Sequence, residues 1–463
     1  MESSSSYGVV RSAPEVCHGS SAMDLDYFCA LSGILCVVPV PAAGAAALTT
    51  IYNFPPHVLP MTGLVAGPGG AFYGATTATI YELTQDVHGA WHQATIYNAS
   101  AAVLIGSPTA LYAATNTGNT VFELMPPVKG STHWTGEILH VFRGGKDGSQ
   151  PLGLALAPDG SLYGTTQLGG GSALCGAMNG VPTGCGTLFR LAESKGKWSE
   201  TVIHAFQGGK DGAIPVASPT FDAAGNLYFT TSEGAASSAS ASDPASNVSP
   251  ALKRPDDASG GCGGLFQYYI FSGNLTIDEL QVLCVVNILN RMRYYQSEPY
   301  DFFNLVEPDE SAPRIPSATA IADELLFTAA GGGNQSKFCL DTSYGGCGAV
   351  AMLTRPSSGK PPWSLTVLHQ FSGPDGFNPM GHLTGDGASR VYGVAGSAVG
   401  SCPNQGCGEI FTLAKGSGGW AWGVVYRFTT DVFPVPQLTL YKGKLLGTTT
   451  GFLTHGTIYE LTP

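Results

Sequence analysis

Charge is scarce in this sequence. Only 12 % of its 463 residues are charged, with 21 Lys or Arg against 33 Asp or Glu, about half the charged fraction of an ordinary soluble domain. A net charge of −12 without a basic stripe excludes nucleic acid as a partner, since nothing could displace the counterions of a phosphate backbone. The Ala/Glu/Lys/Leu richness of a helical bundle is missing, and no 3.6-residue periodicity runs through the chain, which excludes helical solenoids. The motifs of several chemistries are missing too. There is no G-x-S-x-G elbow, Walker loop, HExxH, D-x-D-x-D-G calcium loop, or G-x-G-x-x-G leading into a helix. The runs Gly169–Gly171 and Gly331–Gly333 are loop tips. What abounds is glycine (63), proline (31) and aromatic residues (10 %). That is too apolar for disorder, and Gly/Pro punctuation among short apolar runs predicts many short strands and turns.

One long uncharged stretch occurs, Tyr27–Ala47, interrupted by Pro39, Pro41 and Gly44 and ending in small residues. Residues 1–47 are read as an N-terminal extension carrying a signal peptide, although only Arg11 supplies a positive charge ahead of it. Cys17, Cys29 and Cys36 would leave with it, and the mature chain would have no membrane span. Left uncleaved, the segment would anchor the chain.

One phrase recurs. Its clearest copy, Pro151–Phe206, reads PLGLALAPDG, SLYGTT, a long loop, GTLFRL, a polar turn and WSETVIHAF. LYGTT returns at Phe72, Leu111, Leu227, Leu325, Val391 and Leu445. GTLFRL returns at Thr79, Thr120, Gly263, Gly348, Gly408 and Gly456, and the final element at Trp91, Trp134, Trp363 and Trp420. β-Branched and aromatic residues alternate within each element, and Asp-Gly or Gly-Asn marks the turns. Four-stranded units in tandem predict an all-β protein, a β-propeller. The counts predict seven blades of four strands. The last unit stops after its third strand, while Leu48–Phe54 stands alone and matches a fourth, so the N-terminal strand is expected to complete the C-terminal blade. Residues 48–463 then form one domain.

In GGKDG-x-x-P, DG-x-LYGTT and CGTLF, occurring in that order, the chain resembles the GloVer-type, or choice-of-anchor, tandem-repeat proteins of bacterial surfaces. The resemblance covers residues 48–463 and implies a secreted or surface-displayed propeller. It brings no catalytic residues, and the fourth unit departs from its pattern.

In a propeller, the loops from strand four to the next strand one share a face with the two-to-three loops. The latter are long in units three to six, and predict a wall over half the ring above a cleft. Cys175/Cys185, Cys339/Cys347 and Cys402/Cys407 pair up within these loops, the second of each just ahead of strand three. They are expected to form three disulfides in an oxidising compartment, because their spacings share no zinc pattern and no histidine stands beside them. Cys262 lacks a partner in its own loop and is left free or paired with Cys284. Thr276–Gln296 has helical spacing at Ile277, Leu280, Leu283, Ile288 and Met292 with a Thr276/Glu279 capping box, and predicts a helix inserted at about 270–300 between strands three and four. NLVEPDESAP is then a degenerate copy of the four-to-one loop.

Asp147, Asp211 and Asp375 occupy the G-x-DG-x-x-P loops. They are the candidate ligand-binding residues and could take calcium, against the plainer reading of turns that cap their own backbone. His140, His204 and His369 share one strand-four position with Tyr52, Tyr97 and Tyr426, and are read as structural. No catalytic residue, resident metal or cofactor is assigned. The sequence is read as a monomeric, secreted or cell-surface propeller that binds a glycan or protein through the walled face without catalysis. The alternative is an extracellular propeller enzyme, a polysaccharide lyase or glycoside hydrolase.

Overall fold

The computed structural model describes residues 46–115, 118–175, 177–178, 181–208, 211–215, 217–221, 225–231, 264–268, 277–282, 303–306, 324–329, 339, 347–354, 364–386, 389–397, 407–429, 432–451 and 455–463. The residues from Ala46 to Pro463 cluster as one compact unit. It is a β-propeller, and its only named helical elements among the described residues are two 3-10 turns.

Six sheets are antiparallel four-stranded blades, each running in chain order from the inner to the outer strand. Blade one comprises Val65–Ala66, Phe72–Ala75, Ile80–Gln85 and Trp91–Tyr97, and blade two Val103–Gly106, Leu111–Thr115, Thr120–Met125 and Thr135–Val141. Blade three is Ser149–Leu156, Leu162–Leu168, Thr187–Ser194 and Lys197–Ala205; blade four is Thr220–Phe221, Leu227–Thr231, Gly264–Tyr268 and Ile277–Val282. Blade five holds Phe303–Val306, Glu324–Ala329, Ala349–Thr354 and Ser364–Gln370, and blade six Phe377–Gly385, Arg390–Ser397, Glu409–Gly416 and Gly419–Arg427.

Seven such blades were expected, and the described residues form six. The remaining large sheet is a five-stranded closing sheet, because its inner strand breaks into Val432–Pro434 and Thr439–Tyr441 around Pro436, both pairing with Lys444–Gly451. A proline removes the donor that an unbroken ladder would need. Thr457–Thr462 follows, and Ala47–Asn53 lies antiparallel on its outer side, with Leu48 opposite Leu461. The two ends of the compact unit therefore share one sheet.

The repeated phrase acquires a physical meaning residue by residue. In LYGTT, Gly164 pairs with Phe189 across the ladder, and a Cβ there would collide with the phenyl ring. Gly74 stands in the same way against Tyr81, Gly393 against Phe411 and Gly447 against Tyr459. Blade five reverses the pair, with Phe327 opposite Ala351. The summed volume is kept, which is what a close-packed core requires. The next residue ties blades together: Thr165 donates to the Ala217 carbonyl at 3.1 Å, Thr328 to Gly381 at 3.3 Å and Thr448 to Thr62 at 3.1 Å. The last threonine bonds across its own blade, Thr166 to Thr187 at 2.8 Å and Thr449 to Thr457 at 2.7 Å.

The core is divided among the seams. Tyr112, Leu139 and Phe142 of blade two pack on Leu162, Phe189 and Leu191 of blade three, for example. Phe189 has no exposed surface, and burying such a side chain contributes about 2–3 kcal/mol.

Blade four corrects two expectations. The start of the predicted helix, Ile277–Val282, is the blade's outer strand, paired with Gly264–Tyr268. Without that ladder the third strand would present a row of unpaired backbone groups, and the ladder outweighs local helical spacing. Phe303–Val306, read as a loop, is the inner strand of blade five, so the intervening chain connects two blades instead of interrupting one. The remainder of the predicted helix lies outside the described residues, as do Cys262, Cys284, Cys402 and the extension up to residue 45.

Candidate functional site

The face expected to bind is built from fastened loops. Cys175 is disulfide-bonded to Cys185 and Cys339 to Cys347. Cys407 is disulfide-bonded as well, while Cys402, its expected partner, lies outside the described residues. The second cysteine of a pair carries a carbonyl that holds the next loop in place. The Ile214 N–H donates to the Cys185 carbonyl at 2.8 Å, and the Asn378 N–H to that of Cys347 at 3.0 Å. In blade two, which has no disulfide loop, the Asn119 side chain accepts from the Gln150 N–H at 2.8 Å instead. Gln150, Ile214 and Asn378 sit two residues after Asp-Gly glycines, at φ of 57°, 56° and 52°. Such a conformation is costly for a β-branched residue and persists where the surrounding bonds hold it.

Each candidate aspartate turns back to the histidine of the strand before it. Asp147 lies 3.0 Å from His140 Nε2, Asp211 2.9 Å from His204 and Asp375 3.1 Å from His369. Each carboxylate also accepts a backbone N–H, from Arg143, Gln207 and Ser372 respectively, at 2.7 Å in every case. The imidazoles meet a phenylalanine edge-on two residues later, Phe142, Phe206 and Phe371. Where tyrosine replaces histidine, as at Tyr52, Tyr97 and Tyr426, no Asp-Gly loop follows. The pair is thus a clamp from strand to loop, repeated once per loop. The structure brings no two of the three aspartates together.

What differs is the residue that the next blade presents to the clamp. At the seam between blades five and six, Trp422 stacks on His369 at 4.3 Å and 5°. Burial lowers the pKa of His369, against the opposing pull of Asp375. At the seam between blades one and two, the corresponding residue is Gly136, where a Cβ would strike the Tyr97 hydroxyl. At the seam between blades two and three it is Glu200. His140, Asp147 and Glu200 each bring one ligand atom within 4.8 Å of the others. Glu200 Oε1 is buried without a hydrogen-bond partner. Desolvation, reinforced by the charge of Asp147, pushes the Glu200 carboxyl up to about 7.

A second unusual carboxyl lies in blade six. Glu409 has no exposed side-chain surface and accepts a bond from Arg427 Nε at 3.1 Å. Its other oxygen has no partner, and Gly376 leaves room for it. Burial raises its pKa to about 7, Arg427 opposes the rise and Asp375 adds to it.

One cleft was not expected from the sequence. It encloses about 1110 Å³ along the outer seam of blades one and two and opens toward the turns on the opposite face. Tyr97, Trp134, Glu82, Pro68 and Pro127 line it. The Tyr73 hydroxyl at its base shares its one proton between Glu82 at 2.8 Å and the Pro68 carbonyl at 2.9 Å, while its ring meets Trp134 edge-on at 5.5 Å. Burial, then the Glu82 bond, raises the pKa of that hydroxyl. Trp134 is legible in the sequence only as the start of a strand-four element.

No helix among the described residues is long and apolar enough to cross a membrane. No family model matches the chain, and no curated protein matches it. Among solved structures, it is similar to a catalytically inactive virginiamycin B lyase from Staphylococcus aureus bound to quinupristin, at 12 % identity over 90 % of this chain and 99 % of that one, with a TM-score of 0.49. It is also similar to the N-terminal domain of Nup159, at 8 % identity over 90 % and 96 % of the two chains, with a TM-score of 0.43. Such distant likeness carries no function, which must come from this chain's own residues.

Proposed function

We propose that the protein is a GloVer-type binding propeller, secreted or displayed on the cell surface, that recognises a glycan or protein without chemical turnover. The observation that carries the reading is the loop face, where disulfides hold Cys185 and Cys347 in position to fasten the following loops. Loops stapled in this way give a preorganised surface and suit an oxidising compartment. The cleft beside Trp134 adds aromatic faces and a carboxylate, groups suited to stacking on and hydrogen-bonding a sugar ring.

The enzymatic alternative asks for two accessible carboxyl groups a few ångströms apart. Two carboxyls have a pKa suited to acid catalysis: Glu409, whose side chain has no exposure, and half-buried Glu200, whose neighbour Asp147 is engaged by His140 and the Arg143 N–H. The three loop aspartates are engaged by their own histidines and backbone. The test is a glycan-array and polysaccharide-turnover screen on the mature protein, repeated with Trp134→Ala. Retention of one glycan class without released reducing sugar is the expected result, and turnover would overturn the reading.

A further inference from the structure

We propose that His140, Asp147 and Glu200 form a binding site for a divalent transition-metal ion of the zinc type at the seam between blades two and three. The three residues come from the outer strand of blade two, the loop that leaves it and the outer strand of blade three. One imidazole nitrogen and two carboxylate oxygens match a zinc donor set with a fourth position left for water. Their 4.8 Å span exceeds the roughly 3.3 Å between ligands of a tetrahedral zinc with bonds of about 2 Å, so half-buried side chains must close by about 1.5 Å. Calcium fits less well, because it takes six to eight oxygens and no imidazole.

Two independent observations point to an ion. Glu200 Oε1 is shut off from solvent yet has no partner, although it lies beside a second carboxylate. Like charges brought out of water repel, and a cation shared between them removes both penalties. Two other seams supply the contrast. Trp422 stacks on the histidine of its clamp, and Gly136 makes way for Tyr97, so each neighbour there packs. Glu200 packs on nothing equivalent and offers a ligand atom instead. Bound metal would pin two outer strands together beside the loop face.

The competing arrangement is a protonated His140 shared by both carboxylates, with no metal. Titration of the chelator-stripped full chain with zinc by calorimetry at neutral pH separates the two, with calcium and magnesium as comparison ions. One zinc per chain is expected, together with a rise in thermal midpoint. Glu200→Gln is expected to weaken zinc binding by about 10–100-fold while leaving the metal-free chain folded, and Asp375→Asn to leave zinc affinity unchanged. No zinc bound at one per chain would overturn the proposal, as would an affinity indifferent to Glu200→Gln and His140→Gln. A His140 ring carrying both protons at neutral pH in nitrogen NMR, unchanged by zinc, would establish the shared-proton arrangement.

Discussion

The seam between blades two and three and the seam between blades five and six are built on the same pair, a histidine near the end of an outer strand and an aspartate six or seven residues later. At one seam the neighbouring blade answers with Glu200, at the other with Trp422. The comparison separates what the repeat needs from what it leaves free. The clamp fixes the loop in both places through the imidazole and one backbone N–H. The position facing it is free to pack, as Trp422 does, or to place a second carboxylate beside the first. Repetition along a propeller therefore marks structural need, and departures from repetition mark sites where chemistry can enter.

The comparison can be broken most forcefully at Trp422. Trp422→Ala removes a stacked, half-buried ring and is expected to cost about 2–4 kcal/mol in denaturant unfolding; a cost near zero would show that the stack carries no stability. Next is the clamp itself. Asp375→Ala leaves His369 and the Ser372 N–H without their acceptor, and a loss of about 1.5–3 kcal/mol is expected in the same measurement. Glu409 sharpens the contrast through pH. Its carboxyl titrates at about 7 when folded and at 4.5 as an ordinary glutamate, so the folded chain keeps a proton that the unfolded chain has released between those values. Stability from this group is full below about 4.5 and falls as pH rises through about 7. Glu409→Gln is expected to gain about 1–3 kcal/mol over wild type at pH 8 and nothing at pH 4, read from paired unfolding curves. The smallest effect belongs to Glu200. In metal-free buffer at pH 4, where the folded carboxyl keeps its proton, Glu200→Gln should change stability by no more than about 0.5 kcal/mol, because the amide replaces a neutral carboxyl of the same shape.

Much of this architecture can be read from the chain. LYGTT and GTLFRL announce their strands because each residue has a separate duty: glycine under an aromatic ring, one threonine to the next blade and one across its own. The closing strand at Leu48 is legible for the same reason. The five-stranded make-up of the closing sheet, which leaves six four-stranded blades, was not, because Pro436 splits its inner strand in two. Blade four misleads through Ile277 and Leu280, whose local spacing is helical while the strand that holds them, Ile277–Val282, pairs with Gly264–Tyr268 some ten residues upstream. The clamp left a signal that can be found by eye: histidine occurs at the strand-four position where an Asp-Gly loop follows, and tyrosine where none does. Glu200 left none, since its meaning depends on His140, which belongs to another blade.

The account rests on the claim that the Asp-Gly aspartates serve their own histidines. A double-mutant cycle at His204 and Asp211, with unfolding free energies for each alanine variant and the pair, tests it most directly. A coupling energy of about 1 kcal/mol or more, with ligand binding retained in all three variants, is the predicted result. Coupling near zero, with binding lost when Asp211 alone is replaced, would contradict it.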